Sequence, residues 1–347
     1  MRSLLFAALF IAIGLPASSQ STPPPPQGLP KDPRAILDAA APYYDFSDPA
    51  LKPFHLKASY QLYDDQGNPA EQGTFEYWWA SPTVYRISWT RPHATRAVWH
   101  KPDGKEASVE SGERLRYFER EILTDLTSPL PTSALIDPKT ASIKRHDTNL
   151  AGVQLSCISL TSHGAQRVGD GRENGTYCFD TSLPVLRVAY RFNGMVLVSY
   201  DQVVRLGGKF LAREVHVIGG QQTLFTFKVD TVDALNPSDP ALAPPADAIF
   251  KPDAVRSTIE TKHASLIKQT EALYPKAAKD QHIQGTVLID VLIGADGKVK
   301  DTQVIVSQPP LFGPPALKAV SQWQFRSPEV NGAPIETQDT VEINFRL

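Results

Sequence analysis

From Phe54 to about Asp233 apolar and polar residues alternate in short runs rich in β-branched and aromatic side chains, broken by turn residues at the spacing of antiparallel sheet. Phe54 to Leu62 alternates cleanly, and Thr74 to Trp79, Thr83 to Trp89, Val185 to Phe192, Met195 to Val204, Phe210 to Ile218 and Leu224 to Val232 read as further strands. Asp65-Gln66-Gly67-Asn68 and Asn193-Gly194 supply hairpin turns. The pattern predicts one large antiparallel sheet. A helix precedes it over Asp32 to Tyr44, with Pro33 in the first turn and Ile36, Ala39, Ala40 and Tyr43 on one face. A second helical stretch, Glu121 to Ile136, is broken by Pro129 and Pro131.

The rhythm stops between Asn236 and Ala248, where prolines are dense and periodicity is absent, as in an exposed linker. Beyond it lies a second pattern. Tyr274-Pro275 opens a short helix, Lys276 to His282, and Gly285 to Ile293 is a mostly apolar strand. Asp296-Gly297 turns the chain into a partner strand, Lys298 to Ser307. Pro315 starts a helix whose Leu317, Val320 and Trp323 share a face. The last run alternates so strictly that Val341, Ile343, Phe345 and Leu347 are expected to face the core. Ser265 onward is expected to be extended, while Ser257-Thr258-Ile259-Glu260 also fits a capping box. The expected organisation is therefore 34–235 as the β-rich domain, 236–254 as linker and 255–347 as a small α+β domain.

The first residues change the picture of where the protein works. Met1-Arg2 is a positive start, Leu4 to Leu15 an apolar run, and Ala17-Ser18-Ser19 a small-residue cleavage pattern, so 1–19 read as a secretory signal. The run falls short of the roughly 20 residues that span a bilayer. A periplasmic location is expected, with an uncleaved inner-membrane anchor as the alternative. Residues 20–33, with Pro23 to Pro26, form an extended tether. In an oxidising compartment Cys157 and Cys178, each in a strand-like run, are expected to form a structural disulfide across a hairpin.

Lys and Arg are scattered and the net charge is −2, which gives no electrostatic footprint for nucleic acid. The eight histidines lack the short spacings of zinc ligands, so no metal or other cofactor is expected. Ser265-Leu266-Ile267-Lys268 matches an S-x-x-K motif without its companion elements, and Gly207-Gly208-Lys209 lacks the upstream glycine of a phosphate loop. Asp64-Asp65 fits a solvated turn. The sequence predicts no enzyme.

Tyr274-Pro275, Gly285-Thr286-Val287, Asp296-Gly297-Lys298-Val299, Ala316-Leu317, Trp323-Gln324-Phe325, Pro328 and Asn331-Gly332, in this order, resemble the TonB C-terminal family over about 262–347. The resemblance implies a two-layer βαββαβ-type domain whose last strand, Thr340, Val341, Glu342, Ile343, Asn344 and Phe345, offers its edge to a peptide of an outer-membrane TonB-dependent receptor or another envelope protein. Charged residues such as Glu342 and Arg346 suit a managed edge. The long charged spacer and retained anchor of the founding TonB pattern are not evident, which sets energy transduction apart from docking. The helix and aromatic strands before the linker resemble, in pattern alone, the LolA-like lipoprotein carriers, which implies a half-open barrel with a helix. That resemblance implies a lipid or lipoprotein carrier or adaptor as the alternative function, with Trp78, Trp79, Trp89 and Trp99 as groove walls or as ordinary core.

Overall fold

The computed structural model describes residues 28–162, 174–251, 261–262, 264–327, 329–330 and 332–347. The signal segment, most of the tether, the capping-box stretch, Pro328 and Asn331 lie outside the described residues. Strands β1 (Phe54–Tyr63), β2 (Pro69–Ser81), β3 (Val84–Arg91), β4 (Ala94–His100) and β5 (Glu106–Gly112) are followed by β6 (Ala141–Leu150), β7 (Val153–Ser162), β8 (Thr176–Asp180), β9 (Leu186–Arg191) and β10 (Val196–Asp201). After the small hairpin β11 (Val204–Leu206) and β12 (Lys209–Leu211) come β13 (Glu214–Gly219), β14 (Gln222–Ala234) and β15 (Ile249–Lys251). Thirteen of these form one antiparallel sheet in the order β15-β5-β4-β3-β2-β1-β14-β13-β10-β9-β8-β7-β6.

Alternation decides which side is core: Phe54, Leu56, Ala58, Tyr60 and Leu62 of β1 are all buried, and the residues between them are not. They join Phe75, Trp79, Phe225 and Phe227 in one core that also takes up α1 (Pro33–Tyr44) and α2 (Tyr117–Thr127). Asp32 caps α1 by accepting from the Ala35 N–H at 2.8 Å. Its buried stripe is Ile36, Leu37, Ala40 and Tyr44, a rotation from the expected Ala39 and Tyr43 face. The rotation buries the larger Leu37 and lets the Tyr44 hydroxyl accept from Leu186 N–H at 2.6 Å.

Helix α2 starts at Tyr117 rather than Glu121, because Glu119 accepts from the Arg116 N–H at 2.7 Å and so caps its first turn. It ends before Pro129. The expected strand Met195 to Val204 is split after Asp201, where Gln202 takes a positive φ, and Phe210 to Ile218 is likewise two strands. Strands β4, β5 and β6 have no counterpart in the sequence reading; β6 in particular is a largely exposed sheet edge whose pattern carries little alternation.

The proline-dense stretch is laid along the sheet. Trp99 Nε1 donates to the Ala241 carbonyl at 2.9 Å, Ala248 is buried with Trp99 and Ala107, and β15 pairs with β5.

The C-terminal sheet is three-stranded, with β18 (Gly285–Ile293) between β19 (Val299–Gln308) and β23 (Thr337–Phe345). Four short strands, β16 (Thr261–Lys262), β20 (Gln324–Arg326), β21 (Glu329–Val330) and β22 (Ala333–Pro334), and the lead-in β17 (Ser265–Lys268) pair outside it, β17 with β20. Helices α3 (Lys276–Asp280) and α4 (Gly313–Val320) accompany one face. On that face Val287, Ile289, Val291 and Ile293 meet Phe312, Ala316 and Val320. From the other face Leu288 joins the core of the large sheet, together with Ile305 and Val306 of β19. Strand β18 reads as a mostly apolar run, interrupted at Asp290, because it is covered on both sides. Strand β23 ends at Phe345, so Leu347, expected inside, is 54% exposed.

Candidate docking edge and its anchorage

Strand β23 pairs in continuous antiparallel register with β18, from Thr337 opposite Ile293 to Phe345 opposite Gly285, and stands at the end of its sheet. Its amide at Thr340 is satisfied by the Asp339 carboxylate at 2.8 Å instead of by a strand. With no register shift in the pairing, Thr340, Glu342 and Asn344 share that outward backbone orientation. Val341, Ile343 and Phe345 are buried in the helix-side core, and Phe345 stacks on Phe312 at 4.2 Å. Glu342 and Asn344 are on the opposite row, joined by a 2.7 Å hydrogen bond from Asn344 Nδ2.

The remaining motif residues hold this edge from behind. Tyr274 donates from its hydroxyl to the Ile283 carbonyl at 2.6 Å and sets its ring against Phe312 and Phe345. Pro275 precedes α3 as its cap. A Cβ on Gly285 would lie 2.3 Å from the Gln308 carbonyl, and one on Gly297 2.1 Å from the Phe325 carbonyl, so backbone approach excludes side chains at both. Asp296 accepts from the Lys298 N–H at 3.1 Å, and that bond, aided by the Lys298 charge, lowers its pKa below the usual carboxylate value. Trp323, whose indole donates to the Thr270 carbonyl at 2.9 Å, and Phe325 are buried, while Gly332 takes a φ of 78° in the following turn. These positions are brought together as scaffold, not as a binding surface.

A clamp that the sequence reading missed fixes the edge to the large sheet. Asp290, opposite Thr340 on β18, is 1% exposed and accepts from Arg114 Nη1 at 2.6 Å and Arg120 Nη2 at 2.9 Å. Arg114 also reaches Asp301 at 2.7 Å. A carboxylate in mid-strand among apolar residues was the available signal, since a buried charge requires partners.

Arg120 belongs to α2, and its neighbour Glu119 points the other way, into the core. There Glu119 accepts from the Tyr60 hydroxyl at 2.6 Å and pairs with Arg91 at 3.3 Å. Burial first, and then the Glu119 charge, push the Tyr60 phenol far above its usual pKa. Later in α2, Asp125 pairs with the fully buried Arg191, whose pKa is raised. One helix is thus bonded both to the interior of the large sheet and to the strand beside the candidate edge.

The tryptophans divide. Trp79 and Trp89 lie in the core, and Trp89 donates to the Glu119 carbonyl at 2.8 Å. Trp78 and Trp99 lie outside that core cluster, with the Arg86 guanidinium 4.2 Å and 5.0 Å from their ring centroids. Cys157 and Cys178, directly opposite on β7 and β8, are joined in a buried disulfide. Among the described residues no group of three or more His, Cys, Asp or Glu could hold a metal ion, and no helix is long and apolar enough to cross a membrane.

Residues 270–347 match the family model of the Gram-negative bacterial TonB protein C-terminal. Protein TonB of Vibrio cholerae is 29% identical over 87 residues, covering 25% of this chain and 36% of its own. The chain thus spans about a third of the length of that curated relative. The solution structure of the Pseudomonas aeruginosa TonB C-terminal domain is 28% identical, covering 24% of this chain and 86% of that one at a TM-score of 0.22. A LolA superfamily protein from Nitrosomonas europaea aligns with 59% of this chain and 94% of its own at 11% identity and a TM-score of 0.37. Residues 270–347 are thus the part of the chain that matches the TonB C-terminal family.

Proposed function

We propose that this is an exported, TonB-family envelope protein whose strand β23 docks an extended segment of an outer-membrane receptor by strand addition, as a step in outer-membrane transport. The carrying observation is that β23 has a strand partner on one side and outward backbone groups at Thr340, Glu342 and Asn344 on the other. The charged Glu342 next to it suits an edge kept from indiscriminate pairing. The proposed division keeps 34–235 for the large sheet and 255–347 for the docking domain, with 1–19 as the export signal; 236–254 connects them, and within it β15 completes the edge of the large sheet.

The test uses the whole chain, because one face of the C-terminal sheet is covered by the large sheet. Immobilised protein is exposed to detergent-solubilised outer membrane, alongside Asn344→Pro, which removes an edge amide without touching the β18 ladder. Receptor barrels retained by the parent and lost from the proline variant are the expected result. Equal retention by both would refute edge docking.

The carrier reading requires the large sheet to open, since Phe75, Trp79, Phe225 and Phe227 of its inward row pack on one another and on the helices. Uptake of a fluorescent fatty acid by the purified protein would favour it over docking.

A further inference from the structure

The two rows of β23 differ in chemistry, and a strand added at its edge must continue both. The first row is Val341, Ile343 and Phe345, each buried and part of the helix-side core. Residues of an added strand on that side extend an apolar surface. The second row is Thr340, Glu342 and Asn344, opposite Asp290, Leu288 and Thr286, so it lies on the face turned to the large sheet. One Glu342 oxygen accepts from Asn344, and among the described residues the carboxylate makes no ion pair.

Where β23 begins, the same face opens into a crevice shared with β5, lined by Glu110, Glu113, Glu336, Gln338, Arg96 and Arg114. The cations there are already engaged: Arg114 with Asp290 and Asp301, Arg96 with Glu110 at 3.8 Å. Glu110 and Glu113 keep 67% and 61% of their side chains exposed while pairing with Arg96 at 3.8 Å and Arg91 at 3.0 Å, and Glu336 pairs with Lys300 at 2.7 Å. A partner side chain on this row therefore meets solvent-accessible carboxylates held by cations of this chain, together with Glu342, which has none among the described residues.

Building on the docking reading, we propose that the segment accepted by β23 is amphipathic with a period of two: apolar residues beside Val341, Ile343 and Phe345, and lysine or arginine in the row that meets Glu342 and the Glu110–Glu113 wall. The large sheet is then the second wall of the site, and it selects charge while β23 supplies the backbone bonds.

The experiment measures fluorescence anisotropy of labelled ten-residue peptides with the full chain at low salt. One peptide alternates valine with lysine, one alternates valine with glutamate, one carries the lysine composition in blocks, and one is the lysine peptide with every second amide N-methylated. The lysine peptide is expected to bind about threefold or more tightly than the glutamate peptide, the scale of an exposed cross-strand pair, and the difference should shrink as salt rises. Glu342→Lys and Glu110→Lys should each weaken the lysine preference, and the two together should reverse the order. Equal affinity of the two peptides for the parent chain, or a lysine preference that survives the double substitution, overturns the charge rule. Equal affinity of the blocked peptide overturns the period. If N-methylation has no effect, or no alternating peptide binds, edge docking itself fails and takes this inference with it. If methylation abolishes binding while charge is immaterial, docking stands and only the charge rule falls.

Discussion

Asp290→Ala tests the anchorage of the edge most directly. The side chain of Asp290 is 2% exposed and those of Arg114 and Arg120 are 14% and 13% exposed, so removing the carboxylate strands two guanidinium groups in a region shielded from water. Breaking a buried pair from one side costs about 3–5 kcal/mol. Here the arginines keep part of their bonding, Arg114 to Asp301 at 2.7 Å and Arg120 to the Leu115 carbonyl at 2.7 Å. We therefore expect a loss at or below the lower end of that range, about 2–3 kcal/mol. Urea denaturation of the oxidised chain reads it through tryptophan fluorescence, with Trp323 in the C-terminal domain and the other four tryptophans in the large sheet. The double-mutant cycle with Arg120→Ala should give a coupling of about 1–3 kcal/mol, against less than about 0.5 for a cycle with the remote Arg187→Ala. Because Arg120 sits on α2, Asp290→Ala should also speed hydrogen exchange of α2 amides. A coupling below about 0.5 kcal/mol with Arg120, or unchanged exchange in α2, would refute the clamp.

Four further outcomes are expected. Reducing the Cys157–Cys178 bridge, which closes a sequence separation of 21, should lower stability by about 3 kcal/mol in the chain-entropy account, checked by urea titration with and without reductant. Trp99→Phe removes the bond to the Ala241 carbonyl, and limited proteolysis should then cleave within 236–248 severalfold faster; unchanged cleavage would show that other contacts hold this stretch. Phe345→Ala takes a buried ring from its stack on Phe312 and should cost about 3–5 kcal/mol, measured in the same urea titration. The Asp296 pKa is lowered in the folded chain, so its contribution to stability is present above the usual carboxylate value and lost as pH falls through the lower folded value. Its side-chain NMR resonance should titrate below the midpoint of an ordinary aspartate, and an unshifted midpoint would contradict the turn geometry.

The sequence by itself determined the elements whose cause is local. Alternation in Phe54 to Leu62 and in Thr340 to Phe345 sets the buried faces of β1 and β23, since side chains on a strand point to opposite sides. Pro33 and Asp32 fix the start of α1, and Asp296-Gly297 a turn that no side chain at 297 could enter. The order of motifs from Tyr274 to Gly332 identified the domain family over 270–347. Pairings between distant residues were decided by tertiary structure alone. Nothing in the neighbourhood of Arg114, Arg120 or Asp290 says that they meet, because their contact spans about 170 residues of chain. The split of four tryptophans between core and outer face depends on which neighbours cover each strand, and so does the holding of the stretch beyond Asn236 against Trp99. Even Leu347, the next step of a perfect alternation, leaves the core because the sheet ends at Phe345, and a pattern cannot record where its partner strand stops.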